Sequence, residues 1–145
     1  MHADLLIERM CPFVAQQPGI AAAWLFGSAA RGEMRPDSDV DVAILFDRGV
    51  SPRARTLALA DLASRLESAT HPRPVDVVSL DEQGPVFVHA ALRDGKRIVV
   101  NDDERRADFE SDALVWYLDF KPTWDIAAKE QAAGMRRWLA RRQRP

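Results

Sequence analysis

Apolar residues fall into short blocks along this chain, and their spacing switches between helical and extended several times over its 145 residues. Leu5, Leu6, Met10, Phe13 and Val14, with Arg9 among them, recur at helical spacing and predict an amphipathic first helix that Pro18-Gly19 ends. The run from Ile20 to Phe26 is continuously apolar and predicts a buried strand stopping at Gly27. Gly27 to Gly32 reads as a turn with one helical turn after it. Met34 to Ser38 reads as a loop, because proline and Asp-Ser favour turns. Asp39 to Phe46 predicts a second strand, and Asp47 to Pro52 a polar connection. Arg53 to Ala69 predicts a helix with Leu57, Leu59, Ala60, Leu62, Ala63 and Leu66 turned inward, broken by His71-Pro72-Arg73-Pro74. Val75 to Leu80 is a third strand, Pro85 to Leu92 a short helix, and Arg97 to Val100 a fourth strand after the Asp94-Gly95 turn. Everything from Asp103 onward reads helical, with an interruption near Lys121-Pro122.

This order predicts an α/β (α+β) fold: a small mixed sheet flanked by helices, followed by a helical C-terminal tail. Residues 1–102 form the expected core and residues 103–145 an extension packed on it, together one domain. A composition 47% hydrophobic and 29% charged argues against disorder. The net charge of -2 gives no global reason for nucleic acid or an anionic membrane to bind, so no direct nucleic-acid binding is expected. One cysteine, Cys11, excludes an internal disulfide, and its expected role is that of a small apolar residue on the first helix. No His/Cys group has zinc spacing, no apolar run is long enough to span a bilayer, and the first residues do not resemble a signal peptide. A cytoplasmic protein is expected.

The chemistry concentrates in residues 27–41, GSAARGEMRPDSDVD. Side chains alternate across a strand, so Asp39 and Asp41 point to one face while Val40 and Val42 point to the other. Two carboxylates on the rim of a core strand resist joint ionisation, and a divalent cation removes that conflict. Asp76 lies between Val75 and Val77 in another strand. It is the best candidate for a third oxygen ligand and for a base that takes a proton from an attacking hydroxyl. Gly27 permits close backbone approach to a phosphate, Ser28 adds a hydroxyl donor, and Arg31 could neutralise phosphate charge.

Gly27-Ser28 followed ten residues later by Asp39-Val40-Asp41 resembles the signature of the DNA-polymerase-β-like nucleotidyltransferase superfamily. More narrowly, the GSxARG form, the short chain and the Val75-Asp76-Val77-Val78 segment resemble minimal nucleotidyltransferases of the MntA antitoxin type. So do Phe109-Glu110 and Tyr117 to Pro122 in the tail. The resemblance implies a polymerase-β-like fold and a cytoplasmic antitoxin. Such proteins use ATP and Mg²⁺ to transfer AMP to a tyrosine of a partner HEPN-domain toxin, an RNase, and so silence it. By the same analogy Gly27 and Ser28 hold the triphosphate, Asp39 and Asp41 the metals, and Asp76 activates the acceptor. The large second domain with which antibiotic-modifying relatives bind their acceptors is not expected. Transfer to a small molecule such as an aminoglycoside, or masking of a toxin without catalysis, are the competing readings.

Several residues carry two readings. Asp76 could instead face solvent on an edge strand. Arg31 serves either a phosphate or a loop carboxylate such as Glu33 or Asp37. Asp37 reads as a turn residue rather than a ligand. Ser38 reads as a local cap that could also touch a phosphate beside the metals. His71 and His89 lack partner spacing and read as solvent-exposed or helix-end residues, and Trp24 as core. Trp116, Tyr117, Phe120 and Trp124 are either core or a docking patch for a homo- or hetero-oligomer. Five arginines from Arg136 to Arg144 complement a helix terminus or meet an acidic partner or RNA.

Overall fold

A computed structural model describes residues 2–142. The elements run α1 (Ala3–Gln16), β1 (Ile20–Phe26), α2 (Gly27–Arg31), β2 (Val40–Phe46), α3 (Pro52–Thr70), β3 (Val75–Ser79), a 3₁₀ turn (Leu80–Glu82), α4 (Pro85–Asp94), β4 (Lys96–Val100) and α5 (Asp103–Arg142). Four strands form one mixed sheet in the order β3-β2-β1-β4. β1 pairs antiparallel with β2 and with β4, and β2 pairs parallel with β3. The α/β expectation holds, with strands where the apolar runs place them.

The sheet separates two cores. On one side Val40, Val42, Ile44 and Phe46 pack with Leu6, Met10 and Val14 of α1 and Leu62 and Leu66 of α3. On the other, Trp24, Ala43 and Leu45 pack with Val88 and Ala91 of α4 and Ala113 of α5. The alternation along β2 thus assigns each side chain to a face. The inward face of α3 is narrower than its apolar positions suggest, because Leu57 and Ala60 are exposed. Ser51 caps this helix by accepting from the Ala54 N–H at 3.1 Å, ahead of Pro52 in the first turn.

One finding corrects the expected tail. α5 is one unbroken 40-residue helix through Pro122, about 60 Å long. Pro122 has no N–H for the Leu118 carbonyl, but both residues lie on an exposed stretch where water satisfies that oxygen. Only Ala113 of α5 is fully buried, so the helix packs on the core through its first third alone. That third is clamped by Arg105, which donates to Asp81 at 2.9 Å and to the Phe46 carbonyl at 3.2 Å and lies 5.5 Å from the Phe109 ring centre. Asp81 also accepts from the Phe46 N–H at 3.0 Å.

Candidate nucleotide and metal site

The site grows out of strand register. Phe26, the last residue of β1, lies opposite Asp41, and Asp41 lies opposite Asp76 on the neighbouring parallel strand. Val40 and Val42 enter the α1/α3 core, so Asp41 faces the other side, as do Ala43 and Leu45. Val75 and Val77 pack against that same α1/α3 core, which turns Asp76 to the side of Asp41. Asp39 precedes β2 by one residue, is exposed, and lies two positions before Asp41. Asp76 is exposed and its strand is at the sheet edge, which is the solvent-facing position weighed for it from sequence.

Asp41 is the electrostatic centre of this rim. Burial holds its carboxyl above the ordinary carboxylate value. The negative charges of Asp76 and then Asp39 push the same way, while the Arg31 guanidinium pulls it back. Among the described residues, no three acidic, histidine or cysteine side chains already converge closely enough to hold an ion. Like charges on three carboxylates oppose such convergence until a cation neutralises them. An all-oxygen set of this kind suits a hard cation such as Mg²⁺, which keeps water ligands and needs few carboxylates.

Gly27 opens α2 with φ of 69°, in the left-handed region. A Cβ built there would overlap Asp41 Oδ2. The space where a side chain would stand is therefore filled by the carboxylate, and the glycine turn and the acidic rim are one structure. No side chain caps the start of α2, so its first N–H groups are free of side-chain partners. Ala29 and Ala30 are buried and anchor the short helix, and Phe26 meets Phe87 of α4 edge-on at 5.5 Å.

The remaining residues singled out from sequence have local partners. Arg31 donates to Glu33 at 2.9 Å on the exposed surface, and its charge still reaches Asp41. Ser38 Oγ accepts from the Arg35 N–H at 2.8 Å, and Asp37 lies in the turn. Sequence reasoning missed Arg73, which donates to the carbonyls of Arg35 at 2.7 Å and Ser38 at 3.3 Å and so braces the loop leading into Asp39. No local pattern announces it. His89, expected at a helix end or in solvent, is half-buried and stacks on Tyr117 with ring centres 3.6 Å apart, joining α4 to α5. A cleft of about 370 Å³ beside that stack is lined by Arg93, Arg97 and Glu110. It contains none of Gly27, Ser28, Asp39, Asp41 or Asp76.

A glycine turn and paired aspartates at the mouth of a small mixed sheet agree with the family match. The family model "Polymerase beta, Nucleotidyltransferase" matches residues 8–104, and the chain belongs to that family. Among solved structures, one described as a minimal nucleotidyltransferase is 31% identical over 66% of this chain and 95% of its own, with a TM-score of 0.54. A toxin–antitoxin structure with AMP-PNP shares the fold at 20% identity over 92% of this chain and 98% of its own, with a TM-score of 0.59. So does a tri-AMPylated Shewanella oneidensis HEPN toxin in complex with MNT antitoxin, at 19% identity over 94% and 98%, with a TM-score of 0.56. No curated protein matches the sequence. Among the described residues, no helix is long and apolar enough to cross a membrane.

Proposed function

We propose that this nucleotidyltransferase is an antitoxin that transfers AMP from ATP to a tyrosine hydroxyl of a HEPN-domain toxin in the cytoplasm. The observation that carries the reading is the interlock of Gly27 with Asp41, whose neighbour in register is Asp76. Residues 1–102 form the catalytic unit and residues 103–145 its extension. Asp39 and Asp41, with Asp76 beside them, would hold Mg²⁺, which would supply charge neutralisation at the α-phosphate and the leaving pyrophosphate. The free N–H groups after Gly27 and the Ser28 hydroxyl suit the triphosphate. Arg31 adds positive charge, and Ser38 Oγ retains a proton to donate while it accepts from Arg35. Asp76, exposed at the sheet edge, takes the proton of the acceptor hydroxyl. The hydroxyl oxygen then bonds to the α-phosphorus, and the bond to pyrophosphate breaks.

The partner and the nucleotide are supported by two structures of like fold, one holding AMP-PNP and one an AMP-modified HEPN toxin. The test is incubation with α-labelled ATP and Mg²⁺, with and without the product of the adjacent gene. Label on that protein's tyrosine, lost in the Asp39→Asn/Asp41→Asn variant, is the expected result. Label appearing only on a small-molecule hydroxyl, or a tight unlabelled complex, overturns it.

A further inference from the structure

The cleft between α4, β4 and α5 takes no part in the acidic rim, yet it is built from facing elements. One face of α4 supplies His89, Leu92 and Arg93, and one face of α5 supplies Glu110, Ala113 and Leu114, each set at i, i+3, i+4 spacing. Arg97 of β4 completes the lining. Ala113 is buried, whereas Leu114 is 50% exposed and leaves an apolar wall open to solvent.

Strand register fixes where this cleft lies. Arg97, Trp24 and Ala43 stand opposite one another across β4, β1 and β2, so their side chains share one face of the sheet. Ala43 and Asp41 are two positions apart on β2, so Arg97 is on the face that carries Asp41. Two strand spacings and two residues separate Arg97 from Asp41, about 12 Å. The last turn of α4, with Asp94, stands between cleft and rim, and the charge of Arg31 acts on Asp94 as well as on Asp41.

The cations of the cleft are incompletely used. Arg93 gives Nε and Nη2 to Asp94, both at 2.9 Å, and keeps Nη1. Arg97 approaches Glu110 only at 3.6 Å, too far for a hydrogen bond, and Glu110 already accepts from Arg106. The Arg97 guanidinium thus keeps its donor fork among the described residues, a geometry that suits a planar oxyanion. A polyanion such as RNA would also meet Asp94, Glu110 and the acidic rim, all of one sign. A single carboxylate carried beside an apolar residue meets only the arginines and the Leu92–Leu114 wall.

We propose that this cleft is an acceptor-recognition site: it holds an acidic side chain of the protein that receives AMP, with the neighbouring apolar residue against Leu92 and Leu114. The inference rests on the reading of a protein acceptor. An extended chain covers about 12 Å in four residues, so the recognised carboxylate lies within about five residues of the modified one.

The test titrates the product of the adjacent gene into the full chain by calorimetry, in EDTA and without ATP. Arg97→Gln should weaken binding at least fivefold and Arg93→Gln/Arg97→Gln at least tenfold. Arg48→Gln, an exposed arginine beyond the other end of β2, should change nothing. With Mg²⁺ and ATP, the double variant should raise KM for the acceptor by the same factor and leave kcat and the KM for ATP alone. Arg97→Glu should be rescued by exchanging one acidic residue of the acceptor for arginine. Absence of binding to the parent chain overturns the proposal, as does binding equal in parent and double variant, an equal loss in Arg48→Gln, or a fall in kcat without a change in KM. Occupation of the cleft by inorganic phosphate or AMP, with acceptor binding undisturbed, overturns it too. Arginine-dependent binding without label transfer sinks the AMP-transfer reading and leaves this one standing. Label transfer indifferent to Arg93 and Arg97 does the reverse.

Discussion

Replacing Asp41 by asparagine should make the metal-free protein more stable while abolishing transfer. The wild-type carboxylate is half-buried, and its ordinary value of 3.8 is raised first by burial and then by Asp76 and Asp39. Neighbouring strands lie about 4.8 Å apart, so Asp41 and Asp76 repel across roughly 5 Å. That repulsion is worth about 0.8 kcal/mol at a dielectric of 80 and about 3 kcal/mol at 20. Asp76 is exposed, so the lower figure governs, and the expected gain on removing the charge is about 1 kcal/mol. The pH dependence has a definite sign. A carboxyl whose value is raised on folding contributes stability below its unfolded value and loses it as pH rises through the folded one. The asparagine variant has no such loss, so its advantage is present near neutrality and fades as pH falls toward 3.8. Urea denaturation in EDTA, at neutral and acidic pH and with unchanged m-values, measures it. An asparagine variant less stable than the parent at neutral pH, or an advantage that does not shrink on acidification, would refute the electrostatic account of this rim.

Further outcomes follow from the same geometry. Gly27→Ala should cost about 1–2 kcal/mol through its left-handed φ. It should also lower transfer by about a hundredfold or more by displacing Asp41, read from melts and label incorporation on the same sample. Mg²⁺ affinity measured by calorimetry should rise with pH through the raised Asp41 value and level off above it, because the ion binds the ionised form. A pH-independent affinity would contradict this. Arg105→Ala should destabilise by about 3 kcal/mol, since the Arg105–Asp81 pair is only 14% and 12% exposed. The double variant with Asp81→Ala should cost much less than the sum in a denaturation cycle. Arg73→Ala should weaken metal binding with little loss of helix content, because it frees the Arg35–Ser38 backbone that leads into Asp39.

The strands and the position of the acidic rim were legible because both depend on local sequence. Ile20–Phe26 and Val40–Phe46 are apolar runs of strand length, and two-residue alternation carries Asp41 to the face opposite Val40 and Val42. Parallel pairing of β2 with β3 was not encoded locally, yet it sets Asp76 beside Asp41. The brace from Arg73 and the Asp81–Arg105 clamp escaped notice for the same reason. They join residues more than twenty positions apart, and a lone arginine between prolines has no periodic signature. The path of α5 through Pro122 ran against a correct local rule. Pro122 removes one N–H and crowds the Leu118 carbonyl, yet the helix continues, with that carbonyl on an exposed stretch open to water. Conversely, Leu57 has a core residue's chemistry and an exposed position, because α3 presents only Leu62, Leu66 and Thr70 as its buried line.

The central claim is that Asp39, Asp41 and Asp76 gather a divalent ion beside the Gly27 turn. Crystals grown with Mn²⁺ and α,β-methylene ATP, which cannot transfer AMP, test it most directly through manganese anomalous scattering. The account predicts a manganese peak bridging Asp39 and Asp41, with the triphosphate against the Gly27-Ser28 backbone. Manganese bound elsewhere, or the nucleotide seated in the cleft between Arg93 and Glu110 with the aspartates unliganded, would contradict it.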